Sequence, residues 1–110
     1  MEKKIYFTIA LIAIALTSGG CKKDEGSPGT NEVWIKDMAF NPTSISVAVN
    51  TTITWTNKDG NAHTVTSNNG IFDSSSLNNG ATFSYKFDSV GTFNYHCSIH
   101  SSMTAKVVVQ

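Results

Sequence analysis

The sequence contains no arginine, and its basic side chains are eight lysines, which the eight aspartates and glutamates balance to a formal net charge of zero at pH 7. From Cys21 to the C-terminus, six lysines stand against seven acidic residues. Nucleic-acid binding calls for a clustered basic surface. The composition therefore argues against nucleic acid as a partner and predicts no strong electrostatic steering of any other partner.

Long hydrophobic runs are also missing. The longest, Ile5 to Leu16, has twelve residues, which is well short of the roughly 20 that a membrane-spanning helix needs. Two lysines precede this run, and the small residues Thr17 to Gly20 follow it. A charged start, an apolar centre and a small-residue exit are typical of a secretory signal peptide, which we predict for residues 1–20.

Cysteine is scarce, and the first of the two, Cys21, directly follows the small-residue exit. This position resembles the lipobox of bacterial lipoproteins, although Ser18 stands where leucine is usual. A free thiol or a disulfide to Cys97 are the alternatives. We predict lipidation of Cys21, because a multiply acylated cysteine gives a stable anchor. Residues 21–31 would then tether an exported protein to the periplasmic or cell-surface side of the bacterial envelope.

From Glu32 to Gln110 there is no helical periodicity of useful length, and apolar side chains alternate with polar ones instead. Turn clusters rich in Asn, Gly, Asp and Ser separate the alternating segments. This pattern predicts one all-β domain over residues 32–110, an antiparallel Greek-key β-sandwich, and we expect a monomer. The predicted strands carry the alternating sets Ile45, Val47 and Val49; Ile53 and Trp55; Phe83, Tyr85 and Phe87; Phe93, Tyr95 and Cys97; and the closing run Lys106 to Val109.

The stretch YHCSIHSSM, residues 95–103, concentrates side chains that bind metals. Strand alternation turns His96 to the face opposite Cys97, so His96 is excluded as a ligand. Cys97, His100 and Met103 are spaced by three in a segment that must turn, and His63 is the remaining histidine. A thiolate, two imidazoles and a weak axial thioether form the blue-copper arrangement. We therefore predict a copper site formed by His63, Cys97, His100 and Met103.

Other interpretations of the same residues are weaker. Each ligand alone could have an ordinary role, such as a buried thiol or a gap-filling methionine. Zinc does not favour a thioether ligand. A Cys–His hydrolase needs an orienting acid or amide, and none is evident. The sequence therefore predicts neither catalytic residues nor an enzyme.

The chain from Glu32 onward resembles the cupredoxin family, and within it the plastocyanin-like members and especially the amicyanins. The resemblance rests on Phe40, Pro42, Ile45, Val47, Ile53, Trp55, Asn57 and His63, and on Gly91, Phe93, Tyr95, Cys97, His100 and Met103. It implies one type 1 copper that alternates between Cu(I) and Cu(II) to carry single electrons. It also implies docking of a redox partner near His100, beside apolar residues such as Ile99 and Met38. A copper carrier, buffer or sensor with the same ligands is the alternative function.

Three positions depart from the family pattern. Ile99 precedes the ligand histidine where proline is usual, and Thr64 follows His63 where asparagine commonly bridges the two copper loops. A threonine hydroxyl could provide part of that bridge. Asn50 replaces a turn glycine, and asparagine tolerates the left-handed conformation.

Overall fold

The computed structural model describes residues 26–110, so the predicted signal peptide and Cys21 lie outside the described residues. Eight strands form two four-stranded sheets, which confirms the predicted all-β sandwich. In this part of the chain no helix is long and apolar enough to cross a membrane. The strands are β1 (Glu32–Lys36), β2 (Ala39–Asn41), β3 (Ser44–Val47), β4 (Thr51–Asn57), β5 (Thr66–Ser67), β6 (Thr82–Phe87), β7 (Gly91–His96) and β8 (Thr104–Val109).

The chain changes sheet repeatedly, and this determines the strand directions. The first sheet has the order β2-β1-β4-β6 and the second β3-β8-β7-β5. Two neighbouring pairs, β1 with β4 and β3 with β8, are parallel, whereas the remaining pairs are antiparallel. Both sheets are therefore mixed. Alternation along one strand shows which face is buried but carries no information about the direction of its neighbour.

The core lies between the sheets and is rich in aromatic side chains. Trp55 is fully buried, and its ring centroid lies 5.5 Å from that of Tyr95 and 5.9 Å from that of Phe72. Phe87 packs beside them, with its centroid 6.3 Å from Trp55. Full burial of side chains of this size stabilises the fold by about 1.5–3 kcal/mol each. The alternation in β4 and β6 thus provides much of the core.

Strand β1 shows no alternation and was not predicted from the sequence. Val33, Trp34 and Ile35 are all buried. The ammonium of Lys58 lies 4.6 Å from the centroid of the Trp34 ring, a cation–π contact. Burial on both faces of β1 removes the period-two pattern.

The two loops that carry the predicted ligands come from different sheets. The first leaves β4 of the first sheet after Asn57 and reaches His63, where an isolated bridge pairs His63 with Leu77. The second joins β7 and β8 of the second sheet, from Cys97 to Met103. The sandwich thus brings residues more than thirty positions apart in the chain into contact at one end of the molecule.

Candidate metal centre

Three of the four predicted ligands converge. The Nδ1 atom of His63 lies 3.7 Å from the Sγ atom of Cys97, and the Nδ1 atom of His100 lies 3.8 Å from the same sulfur. Within the described residues, the ligand atoms of His63, Cys97 and His100 all lie within 4.8 Å of one another. Each ring presents the same nitrogen to the thiol. This arrangement could hold a metal ion.

His63 is held by its main chain and by its ring. Its N–H donates to the carbonyl of Leu77 (3.1 Å), and its carbonyl accepts from the N–H of Leu77 (2.7 Å). The side chain is completely buried, and its outer nitrogen, Nε2, lies 2.9 Å from Oδ2 of Asp59. His63 is therefore a buried residue and not an exposed loop residue.

The loop before His63 is organised around Asn57, the fully buried last residue of β4. The Nδ2 group of Asn57 donates to the carbonyls of Asn61 (2.9 Å) and Leu77 (2.8 Å). Its Oδ1 atom accepts from the N–H of Asp59 at 2.8 Å. One side chain thus satisfies three main-chain groups, which fixes the path of the loop between β4 and His63.

Cys97 follows the last residue of β7 and is a buried, free thiol. The N–H of Thr64 points at its sulfur over 3.3 Å, and its own N–H donates to the carbonyl of Met103. Burial alone would raise the pKa of the thiol. The N–H groups of Thr64 and His100, together with the polar contacts of the sulfur with the two imidazole rings, outweigh burial and lower the pKa to about 6. At neutral pH the sulfur is therefore mainly a thiolate, the form that binds soft metals.

The hydroxyl of Thr64 links the two ligand loops. Its Oγ1 atom accepts from the N–H of Ser98 at 2.7 Å and lies 3.0 Å from the Ser98 hydroxyl. The same oxygen lies 2.9 Å from the hydroxyl of Thr66. A threonine hydroxyl at this position therefore makes a bridge of the kind that the family resemblance assigns to asparagine.

His100 and Met103 differ in exposure. The His100 ring is half-buried, and Met103 is buried where the loop rejoins β8. The N–H of Met103 donates to the carbonyl of His100, which closes the loop. Ile99, beside His100, is 50% exposed, and Met38 is 43% exposed, with its sulfur 3.9 Å from the amide of Asn61 in the His63 loop. Apolar side chains therefore remain accessible beside the cluster.

Two residues outside the cluster behave as the sequence indicated. His96 is half-buried, its Nδ1 atom lies 2.6 Å from Oδ1 of Asn68, and it does not belong to the metal-type cluster. Asn50 adopts a left-handed conformation with φ of 72°. The substitution of asparagine for glycine at this turn thus keeps the required backbone geometry.

Asp59 is the site residue that sequence reasoning missed. Its position four residues before His63 was visible in the sequence, but loop spacing alone does not determine whether two side chains meet. Burial disfavours the charged carboxylate of Asp59. The N–H groups of Met38 and Asp37 and the ring of His63 outweigh that effect, so its pKa is lowered. Asp59 is therefore ionised at neutral pH.

The donor set fits copper. A thiolate and two imidazole nitrogens converge, and the loop that carries two of them also carries a buried thioether. Contact between Asp59 and the Nε2 atom of His63 leaves the Nδ1 atom, which faces the sulfur, as the free donor. Thiolate, imidazole and thioether together suit copper, whereas zinc sites do not favour thioethers.

An all-β sandwich with a Cys–His–His cluster at one end defines the class of protein, and comparisons identify the family. The family model of the cupredoxin-like domain matches residues 8–109 of this chain. Amicyanin-alpha of Methylorubrum extorquens is 30% identical over 98% of this chain and 99% of its own length. Amicyanin of Paracoccus denitrificans is 31% identical over 78% of this chain and 70% of its own. The chain therefore belongs to the cupredoxin family.

Solved structures agree with this assignment. A novel purple cupredoxin from Nitrosopumilus maritimus matches with a TM-score of 0.67 and 30% identity, over 72% of this chain and 98% of its own. The Cu(I) form of an amicyanin mutant matches with a TM-score of 0.69 and 28% identity, over 81% of this chain and 87% of its own. Both matches extend over most of the described sandwich.

Proposed function

We propose that this protein is a small copper protein that carries single electrons between redox partners, with His63, Cys97, His100 and Met103 as the copper ligands. The observation that supports it most is the convergence of the Nδ1 atoms of His63 and His100 on the buried sulfur of Cys97, with all three atoms within 4.8 Å of one another. Relatives named as amicyanins match at 30 and 31% identity, and a Cu(I) form is among the matching structures. Bound copper would supply one-electron chemistry between Cu(I) and Cu(II).

The residues around the cluster suit such a role. Cys97 is a thiolate at neutral pH, and its sulfur is fixed by the N–H of Thr64. Asn57 and Thr64 connect the His63 loop to its surroundings through hydrogen bonds, so the ligands are positioned before metal binds. A site whose ligands move little between oxidation states transfers electrons fast, because little reorganisation accompanies each transfer.

The surface beside His100 is the proposed docking site for a redox protein. His100 is the more exposed of the two histidines, and the apolar side chains of Ile99 and Met38 lie beside the ligand loops. Accessible apolar side chains around an exposed ligand allow a partner to approach and exclude water transiently. The proposed patch therefore consists of Ile99, His100 and Met38.

Copper binding is tested on residues 26–110, the part that forms the complete sandwich. Addition of Cu(II) to the purified domain is expected to produce an intense visible thiolate-to-copper absorption band, and Cys97→Ser is expected to abolish it. His96→Ala is the matched control, since His96 lies outside the cluster, and should retain the band. A wild-type domain without the band, or a band that survives Cys97→Ser, would refute the site.

Electron transfer is distinguished from copper delivery by cyclic reduction and oxidation. An electron carrier is expected to keep its copper through repeated cycles and to show rapid exchange between the reduced and oxidised forms. Release of the metal on each reduction would instead support the alternative function as a carrier, buffer or sensor.

We also propose that residues 1–20 direct export and that lipidated Cys21 anchors the mature protein to the bacterial envelope. The support is the sequence pattern of a charged start, an apolar run and a cysteine after small residues. Cell fractionation tests it: Cys21→Ser should move the protein from the membrane fraction to the soluble fraction. An unchanged distribution would contradict the anchor.

A further inference from the structure

The carboxylate of Asp59 joins three parts of the molecule. Its Oδ1 atom accepts from the N–H of Asp37 at 2.7 Å, and its Oδ2 atom accepts from the N–H of Met38 at 3.0 Å. Its Oδ2 atom also lies 2.9 Å from Nε2 of His63. Asp37 and Met38 form the turn between β1 and β2, so this carboxylate connects that turn to a candidate copper ligand.

The turn itself depends on the carboxylate. Asp37 and Met38 both adopt left-handed conformations, with φ of 55° and 61°. Such conformations are unfavourable for residues other than glycine, by about 1–2 kcal/mol each. Two successive N–H groups that bind one carboxylate offset part of this cost. The same two bonds fix the orientation of Asp59, because each of its oxygens is engaged by a different N–H group.

A carboxylate held in this way selects the tautomer of a neutral His63 ring. An ionised carboxylate only accepts hydrogen bonds, so the proton of the neutral imidazole belongs on Nε2, the nitrogen that faces Asp59. The lone pair then lies on Nδ1, the atom 3.7 Å from the Cys97 sulfur. The metal-binding form of the ring is thus selected before any metal arrives.

His100 lacks such a partner in residues 26–110. Its ring contacts Cys97 through Nδ1 and packs beside His63, with 4.9 Å between the two ring centroids, and it is half-exposed. Although both residues are histidines that face the same sulfur, His63 therefore has a carboxylate behind its ring, and His100 has none among the described residues.

We propose that Asp59 is a positioning residue that holds His63 in its Nε2–H tautomer and places a fixed negative charge behind that ring, which favours Cu(II) over Cu(I). The charge effect rests on the proposed copper function, whereas the tautomer effect does not. A carboxylate behind a ligating imidazole makes the ring more basic and orients it. The more highly charged ion gains more from a nearby negative charge, so Asp59 lowers the reduction potential of the site.

Two substitutions at position 59 separate charge from hydrogen bonding. Asp59→Asn removes the charge, and an amide oxygen in the Oδ2 position still accepts from His63 and Met38, although the amide nitrogen in the Oδ1 position cannot accept from the N–H of Asp37. We expect the balance between the two copper states to shift about tenfold toward Cu(I), which corresponds to a rise of about 59 mV for one electron. Asp59→Ala removes both effects and should weaken Cu(II) binding about 10- to 100-fold.

The matched control is Asp88→Asn, which makes the same charge change at an exposed residue that follows β6, at the opposite end of the sandwich. Cyclic voltammetry of the three variants and the wild type measures the potential, and competition with a chelator of known affinity measures Cu(II) binding. The charge effect is overturned if Asp59→Asn leaves the potential unchanged, or if Asp88→Asn raises it equally.

A measurement without copper tests the tautomer. In the metal-free domain labelled with ¹⁵N at histidine, two-bond nitrogen–proton correlations distinguish the two neutral tautomers. We expect His63 to be in the Nε2–H form in the wild type and in Asp59→Asn, and to become a mixture in Asp59→Ala. An Nδ1–H form in the wild type would overturn the proposal. Failure of the wild type to bind copper would refute the proposed function and the charge effect, and this NMR result would still decide the tautomer.

Discussion

His63 is completely buried, and its outer nitrogen, Nε2, is bonded to Asp59. His100 is half-exposed, and within the described residues its ring is in hydrogen-bond contact only with Cys97 of the site. The loop before His63 is fixed by side chains, chiefly Asn57 and Asp59. The loop before Met103 is fixed by main-chain bonds to Cys97 and His100 and by one hydroxyl, that of Thr64.

This difference teaches that one cluster can serve two purposes. In the proposed function, the buried histidine, with a charged partner and a rigid loop, would set the properties of the bound metal. The exposed histidine, with apolar neighbours, would give a partner protein access to it. Substitutions near His63 and substitutions near His100 can therefore test the two purposes separately.

The largest effect is expected when each ring is removed in turn. His63→Gly and His100→Gly should both abolish the visible copper band. Added imidazole should restore it in His100→Gly alone, because that gap opens to solvent, whereas the gap at His63 is enclosed. Visible absorption measures the rescue, and circular dichroism of the metal-free variants verifies that they are folded. Equal rescue of both variants would remove the distinction between the two histidines.

A large loss of stability is expected from Asn57→Ala. This change removes the bonds of Asn57 to the carbonyls of Asn61 and Leu77 and from the N–H of Asp59, although the carbonyl of Leu77 keeps its bond from the N–H of His63. Loss of the three bonds should cost about 3 kcal/mol of the free energy of unfolding, at about 1 kcal/mol each. Urea denaturation of the metal-free domain measures it.

Asn94→Ala is the control for this prediction. Asn94 is an exposed residue of β7, and a surface substitution of this kind typically changes stability by less than about 0.5 kcal/mol. A loss at Asn57 no larger than that at Asn94 would contradict the role of Asn57 in fixing the His63 loop.

The same two loops differ in how far the sequence predicted them. Cys97, His100 and Met103 lie within seven residues, so their spacing and chemistry indicated a metal site directly, and strand alternation correctly turned His96 away. His63 followed from elimination, because it was the remaining histidine. Asp59 could not be assigned, since its contact with His63 depends on the turn between β1 and β2 that orients the carboxylate.

The fold shows a similar limit. Alternation identified β3, β4, β6 and β7, because each exposes one face and buries the other, and the closing run Lys106 to Val109 indicated β8. It missed β1, whose successive residues Val33, Trp34 and Ile35 are all buried, and the very short strands β2 and β5. The two parallel pairs were also missed, because strand direction depends on how the connections cross between the sheets.

The smallest effect is expected at the exposed end, from Ile99→Lys. The change places a charge on the proposed patch without touching a ligand, so the copper band and the reduction potential should stay close to those of the wild type. Electron self-exchange requires two copies to meet through their exposed ligands. We expect its rate to fall about tenfold at low ionic strength, because two like charges would face each other in an apolar contact.

Val90→Lys isolates the effect of position from that of net charge. Val90 is 70% exposed and lies between β6 and β7, at the end of the sandwich opposite the ligand loops. Both variants change the net charge equally, but only Ile99→Lys places the charge where two copies would meet.

NMR line broadening in mixtures of reduced and oxidised protein measures self-exchange. Salt should restore much of the rate of Ile99→Lys, since at about 0.15 M ionic strength charges are screened beyond about 8 Å. If both variants slow the exchange equally, electrons leave by another surface, and the exposure of His100 has no functional meaning.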